Sequence, residues 1–562
     1  MKRTSRCGLV LLFLLAATLL GSSTDLHTDV PASQDRHQSH KPALLHEPIL
    51  IDGDADLVSQ GWPGSGTPED PYTIEGLEIT HTAGHAIEIV NTHLNILITD
   101  CTLSSWSHSY AIKAETSQNI AVEGCIFSNG GLFFDRSNHS SARTCSFDIT
   151  DSTSVRIENS SECSIEENTL SGPAEIDVLS SYRCRVASNV IEDSGFGLLV
   201  FSSSECVVTG NQIQAVDIPI HLRYSDSCTV HENQVSGGVY GLVVFKSNNT
   251  SIHDNAFTDS GLLFPPWDIT FDSLQEDEVY NPATLNLSVE GNTVNQYPLA
   301  FLRDLGEVAL SSLQYGQVVM MNCQGTAIQG AHLEPAPVSI QVINSSSCQI
   351  MDCTISNASI WGILGFMAQG LHVVTSEISH CGVDGLFFLD SPETQVSESE
   401  IYLNDGDGIH LWGSDHSVIS ENGIYQNGEG VWLQDSDFCS IINNSLMDNS
   451  AYGVRLTAYS ANNTIYGNAF GWNEDGNARD WNGTLNQWDN GIDQGNAWHD
   501  YEGSGVYEIP AAGVDRYPKK FYFDLLLYDP TAEILVGIIV IVSAVAVVYR
   551  RKRRNQKPLQ SL

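Results

Sequence analysis

Basic residues are scarce. The chain carries 25 Lys and Arg against 68 Asp and Glu, a formal charge of −43 over 562 residues. A body of that sign repels nucleic acid and anionic lipid, which excludes a nucleic-acid partner. The fixed leucines and helical half of a leucine-rich solenoid are missing as well. Histidine, cysteine and methionine do not fall at the spacing of a dedicated metal site. His27, His37, His40 and His46 come nearest, and their intervals match no closed ligand set.

The long apolar runs stand at the two ends. Residues 1–23 open with Lys2 and Arg3, continue through "GLVLLFLLAATLL" and close on "GSS". That is the layout of a secretory signal, cut near Gly21 to Ser23. Ile534 to Tyr549 is an uncharged run of 16 residues, followed at once by "RRKRRNQK". As a helix it spans about 24 Å, and Thr531, Ala532 and Glu533 extend it toward membrane thickness. Residues 529–549 are therefore predicted to form one transmembrane helix in the cell membrane. The basic tail 550–562 would be cytoplasmic and the body extracellular. Setting aside Lys2, Arg3, Arg6 and the six basic residues after Tyr549 leaves 16 basic against 68 acidic residues, a formal charge of −52. Residues 24–47, with Pro, Ser, Gln and His and little apolar content, read as a flexible stalk.

Between the ends one pattern returns. The stretch "SSECVVTGNQI", Ser203 to Ile213, is echoed by "SSYRCRVASNVI" before it and "YSDSCTVHENQV" after it. Each places Asn five residues after Cys, with an apolar residue three before the Asn and another two after. The Asn position is taken by Cys101, Cys125, Cys145, Asn168, Asn189, Asn211, Asn233, Asn255 and Asn292. It resumes at Ala331, Cys353, Ser376, Ser399, Asn422, Asn444 and Asn468. Steps of 20 to 24 residues, with one of 37 from Asn255 to Asn292, mark a solenoid.

A second marker usually stands fourteen residues earlier, as in "GLLVF" at Gly197, "GIHLW" at Gly408 and "GVWLQ" at Gly430. Short segments rich in Val, Ile and Phe, separated by Gly, Asn, Asp and Ser, predict three short strands per coil. The fold class is all-β: a parallel β-helix of about 22 residues per coil, with coils about 4.8 Å apart. Residues 48–295 are assigned to its first part, 296–323 to an interruption, 324–490 to its second part, and 491–528 to a cap and linker. Asn168, Asn189, Asn211, Asn233, Asn255, Asn422, Asn444 and Asn468 are predicted to form an inward hydrogen-bonded ladder. Cys163, Cys184, Cys206, Cys228, Cys348 and Cys439 fall in one column beside it. Stacked buried thiols and disulfides, which export permits, both remain open.

Three stretches carry a family resemblance. They are "PILIDGDADLVSQGWPGSGTPEDPYTIEGLEI" (Pro48 to Ile79), "QYPLAFLRDLGEVALSSLQYGQVVMMNC" (Gln296 to Cys323) and "GNAWHDYEGSGVYEIPAAGVDRYP" (Gly495 to Pro518). With the repeat, they resemble NosD-type right-handed parallel β-helix proteins with CASH repeats, in particular archaeal membrane-anchored surface members. The likeness covers about 400 residues and implies fold and surface exposure more firmly than activity. NosD membership would also imply a role in metal delivery. The acidic, glycine-rich loop of the closing motif is reduced here to "EGSG", which withdraws support from any cation site on that loop.

Polysaccharide lyases and polygalacturonases on this fold cluster Asp with a basic residue on one face. Paired Asp near a Gly-His-Gly and an Arg-x-Lys are missing here. The nearest cluster is Asp405, Asp407 and His410, with Asp384 one coil earlier. Carboxylate beside imidazole suits acid–base chemistry, although Asp-Gly pairs also serve simply as turns. No metal and no cofactor is expected.

In the outward column of the second half, Phe366, Phe387, His410, Trp412, Trp432 and Arg455 are expected to be exposed and to bind sugar rings. The alternative is that the N-terminal arm, the mid-chain insertion or a partner covers this face. Trp472, Trp481, Trp488 and Trp498 are expected to close the open end. Ten Asn-x-Ser/Thr sequons, Asn138 and Asn482 among them, add glycosylation acceptors on an exported chain. The chain thus reads as a membrane-anchored extracellular binding or structural protein, with polysaccharide or glycoprotein as partner. A polysaccharide lyase or glycoside hydrolase is the rival, and NosD-like metal delivery the third reading.

Overall fold

The computed structural model describes residues 44–105, 109–150, 155–269, 279–311, 314–457, 459–481, 484–511 and 513–521. The leader, most of the stalk, the transmembrane helix and the basic tail expected from the sequence lie outside them. Among the described residues no helix is long and apolar enough to cross a membrane.

Alternation builds the walls. Strands such as Ile112–Glu115, Leu132–Asp135 and Val155–Glu158 bury every second side chain, as a strand with one face on a core must. Each pairs in parallel with its equivalent one coil on: Ile112 opposite Leu132, Leu132 opposite Val155, Val155 opposite Ile176. A second wall runs from Tyr72–Glu75 to Leu287–Glu290, and a third from Leu77–His81 to Thr293–Val294. The three walls recur after the break, beginning at Tyr297–Arg303, Ala309–Ser311 and Gln314–Tyr315. The result is an all-β, right-handed parallel β-helix.

One corner of each coil is held by the asparagines. The residue before the Asn adopts a left-handed backbone, at φ 56° for Glu167, 55° for Ser188, 63° for Gly210 and 55° for Glu232. This turns the Asn side chain inward. Amide to amide, Asn168, Asn189, Asn211, Asn233, Asn255 and Asn292 are linked at 2.9–3.0 Å. Asn422, Asn444, Asn468 and Asn496 repeat this at 3.0 Å. A second ladder five residues further on links Asn404, Asn427, Asn449 and Asn473 at 2.8–3.2 Å. A third uses serine: the hydroxyls of Ser160, Ser181, Ser203 and Ser225 each accept the backbone N–H of the preceding coil at 2.8–3.1 Å. The twelve cysteines of the described residues are buried free thiols. Cys163 Sγ donates to the Ser137 carbonyl at 2.9 Å.

The boundaries differ from expectation in three places. Leu44–Leu45 already pairs in parallel with Leu77 and Glu78, so the last residues of the expected stalk belong to the β-helix. The interruption expected at 296–323 is confined to its start, where no wall continues in parallel from Thr293–Val294 into Tyr297–Arg303. Tyr297–Arg303 folds back on Thr293–Val294 and then starts a new coil beside Gln317–Met321. The extra length of the 37-residue step falls between Leu262–Leu263 and Leu287–Glu290, where the described residues include the 3-10 turn Pro282–Thr284.

At the two ends, Leu57 of helix Asp54–Gln60 closes one mouth, and Trp488 and Trp498 close the other. Trp498 lies between Phe470 at 4.4 Å and Tyr507 at 4.0 Å. Trp472 and Trp481, expected in the same core, are nearly half exposed. Trp481 packs instead under the Arg479 guanidinium, 4.0 Å from its ring.

Candidate functional site

The outward column expected to be an exposed stripe is buried. Phe366 has no accessible surface, Phe387 retains 3 %, and Trp412 and Trp432 retain 7 % and 6 %. Over Phe387 the cover comes from the segment after Leu262. Gln317 and Gln341 reach out from successive coils, and their Nε2 groups donate to the Leu262 carbonyl at 2.8 and 2.7 Å. Phe264 N–H donates to Gln341 Oε1 at 3.1 Å. Arg303 and Asn322 then hold the Ala283 carbonyl, each at 3.3 Å. Between these anchors, Trp267 sets its ring edge-on against Trp361 and Phe387, 6.0 Å from each. Further along, Trp432 is sandwiched between the His410 ring at 4.2 Å and the Arg455 guanidinium at 4.8 Å.

The same wall brings together three of the four acid–base candidates. Asp384, Asp407 and His410 are all buried, and their ligand atoms lie within 4.8 Å of one another. Asp405 is exposed and stands apart. The carboxylates form a ladder of their own, because Asp384, Asp407 and Glu429 share one position in consecutive coils. One oxygen of each accepts a backbone N–H from the next coil: Asp407 N at 2.7 Å, Glu429 N at 3.1 Å and Tyr452 N at 2.7 Å. The second oxygen of Glu429 meets Arg455 Nη1 at 2.9 Å, so Arg455 is a partly buried counter-ion rather than a free ligand-binding arm. The second oxygens of Asp384 and Asp407 both stand 3.7 Å from His410 Nδ1. Burial, with Asp384 and Glu429 as like-charged neighbours, pushes the Asp407 carboxyl well above the usual range. Two carboxylates and an imidazole are donors that a divalent ion such as Cu(II) or Zn(II) accepts.

An open groove lies on another wall. It has a volume of about 510 Å³ and is lined by Asp352, Thr375, Glu377, Glu400, Tyr402 and Tyr425 among others. Glu377, Glu400 and Gly423 are in register on adjacent strands, as are Ser379, Tyr402 and Tyr425. The two tyrosine rings stack 5.1 Å apart at 6°. Tyr402 donates its hydroxyl to Glu377 Oε1, and Thr375 donates to Asp352 Oδ1 at 2.6 Å. Burial and the adjoining Glu400 push the Tyr425 hydroxyl up to about 12, so it stays protonated at neutral pH. Gly423 leaves space that Glu400 fills: a Cβ there would come within 2.4 Å of Glu400 Oε2. Sequence reading missed this groove, although the Tyr-Glu pairs recur at the coil period.

The model of the family described as periplasmic copper-binding protein (NosD) matches residues 128–263 and 285–503. The model of the right handed beta helix region matches 64–172. Solved structures that match include a double mutant of the periplasmic alginate epimerase AlgG, 13 % identical, with a TM-score of 0.30; the match covers 64 % of this chain and 77 % of that one. The A-module of the Azotobacter vinelandii mannuronan C-5 epimerase AlgE6 is 12 % identical over 73 % of this chain and 87 % of its own, with a TM-score of 0.21. Alginate lyase from Paenibacillus sp. str. FPU-7 is 12 % identical over 55 % and 95 %, with a TM-score of 0.26. No curated protein matches the sequence.

Proposed function

The chain belongs to the NosD family of right-handed parallel β-helix proteins, and from that premise we propose that it is a surface-held binding protein that grips an extended glycan chain without cleaving it. The observation that carries this reading is the groove. Its Tyr402–Glu377 pair and the neighbouring Tyr425 and Glu400 recur from one coil to the next. Coils rise by about 4.8 Å, comparable to the length of one sugar unit in an extended polymer. Ring edges offer apolar contact, while phenol and threonine hydroxyls and carboxylates offer donors and acceptors to sugar hydroxyls.

The charge narrows the substrate class. With Asp352, Glu377, Glu398 and Glu400 on its rim, the groove favours neutral or amine-bearing polymers over polyuronates. In this reading the segment 529–549, with its apolar run Ile534 to Tyr549, holds the body outside the cell, and the tail 550–562 stays inside. A glycan-array screen of the full chain tests the proposal. Binding of neutral or amino-sugar polymers that disappears in a Tyr402→Ala, Tyr425→Ala double variant supports it. Shortening of a bound polysaccharide would show an enzyme instead.

A further inference from the structure

The carboxylate ladder has a missing partner. Glu429, buried like its neighbours, has its second oxygen neutralised by Arg455. One and two coils earlier, the second oxygens of Asp407 and Asp384 converge on a single imidazole, and no arginine or lysine is paired with either among the described residues. The separation of 3.7 Å from His410 Nδ1 to each oxygen is too long for a hydrogen bond. The His410 side chain retains 5 % of its accessible surface, and its other nitrogen, Nε2, is enclosed without a partner. Burying two carboxylates beside an unbonded imidazole is costly unless something stands between them.

Geometry indicates what fits. Nitrogen and oxygen ligands bind Zn(II) at roughly 2.0–2.2 Å, which places neighbouring donors about 3–3.7 Å apart. The distances from His410 Nδ1 to both carboxylates reach the upper end of that interval. We propose that Asp384 Oδ2, Asp407 Oδ2 and His410 Nδ1 bind one divalent cation. The ion balances two carboxylate charges, as Arg455 balances one on Glu429. Since the donors are oxygen and nitrogen, the class is Zn(II) or Cu(II) rather than Cu(I), which takes sulfur. The backbone bonds made by the first oxygens fix both carboxylates, so the site is organised before the ion arrives. This inference stands apart from the glycan groove, whose residues lie on a different wall.

Calorimetric titration of the full, chelator-stripped chain with Zn(II) and with Cu(II) tests it, beside Asp384→Asn/Asp407→Asn and His410→Gln variants and an Asp405→Asn control. The expected result is one equivalent bound by the native chain and by the control, and at least a tenfold loss of affinity for that equivalent in both site variants. The stalk histidines remain in every variant, so any weak binding there cancels in the difference. The Trp432 ring lies 4.2 Å from His410, so Cu(II) should quench a fluorescence component that is absent from Trp432→Phe. Should the site variants fail to fold, the nitrogen coupling in the native Cu(II) electron-resonance spectrum and the Trp432 quench decide the matter. Equal titrations in native and well-folded variant proteins would overturn the proposal, as would a native chain that binds neither ion.

Discussion

Asn211 donates from Nδ2 to Asn233 Oδ1 at 2.9 Å and to the Val186 carbonyl at 3.0 Å, joining three coils through one side chain. Its Oδ1 in turn accepts from both the backbone and the side chain of Asn189 at 3.0 Å. Replacing Asn211 by Leu strands all of these partners in a buried corner. The expected cost is about 2–4 kcal/mol, read as a lower denaturant midpoint. A midpoint unchanged from the native chain would show that the ladder contributes little.

That ladder was legible because it is periodic. The apolar residues three before and two after each Asn, and the Cys five before, give the coil phase without any long-range information. The second ladder, Asn404 to Asn473, has the same period and was open to the same alignment. The burial of Phe387 was legible only as the alternative that the N-terminal arm, a mid-chain insertion or a partner covers this face. Period-two alternation tells which side chains leave the core of a coil, but not what lies over them. Trp267, the residue lying edge-on to Phe387, is over a hundred positions away in a stretch with no repeat. In sequence His410 reads as one of a cluster with Asp405 and Asp407, with Asp384 one coil earlier. The stacking of coils adds that Asp384 and Asp407 meet its ring and that Asp405 does not.

Stability should depend on pH through Glu175. Burial first, and then the charge of Asp177, push its carboxyl up to about 7, with Arg156 opposing. A carboxyl whose folded value is raised binds its proton more tightly when folded. Its contribution is therefore complete below about pH 4.5 and is lost as pH rises through about 7. Glu175→Gln should stabilise the protein at pH 8 by up to about 3 kcal/mol relative to native and by much less at pH 4.5. Denaturation midpoints measured at both pH values check this; a pH-independent difference would contradict it.

Gly423 separates groove shape from fold stability. A methyl group there meets the end of the flexible Glu400 side chain rather than backbone, so Gly423→Ala should change stability by less than about 1 kcal/mol. Glu400 must swing away from its place over Gly423, and glycan affinity should fall severalfold. Unchanged affinity would move the binding site elsewhere.

The orientation expected from the basic residues after Tyr549 can be tested on whole cells. External protease should remove the β-helix and leave residues 550–562 protected. A body resistant on intact cells but cleaved after lysis would place it on the inner side.

The two aromatic sets should respond in opposite ways to truncation. Trp412 and Trp432 are buried, and Trp432 is packed between His410 and Arg455. Cutting either to Ala opens a cavity, with an expected loss of about 3–5 kcal/mol, while any glycan affinity left in the folded fraction should be native. Tyr402 and Tyr425 are partly exposed on the groove. Their double Ala variant should keep most of the stability, because the strands beneath bury Ile401 and Ile424 instead, but should lose glycan binding. Asp405→Asn should alter neither property, since Asp405 lies outside both sites. Melting curves and array binding, measured on the same preparations, give the comparison. If truncating the tryptophans abolished binding with the fold intact, the ligand would reach the outward wall, and the segment anchored by Phe264 and Ala283 would have to open to admit it.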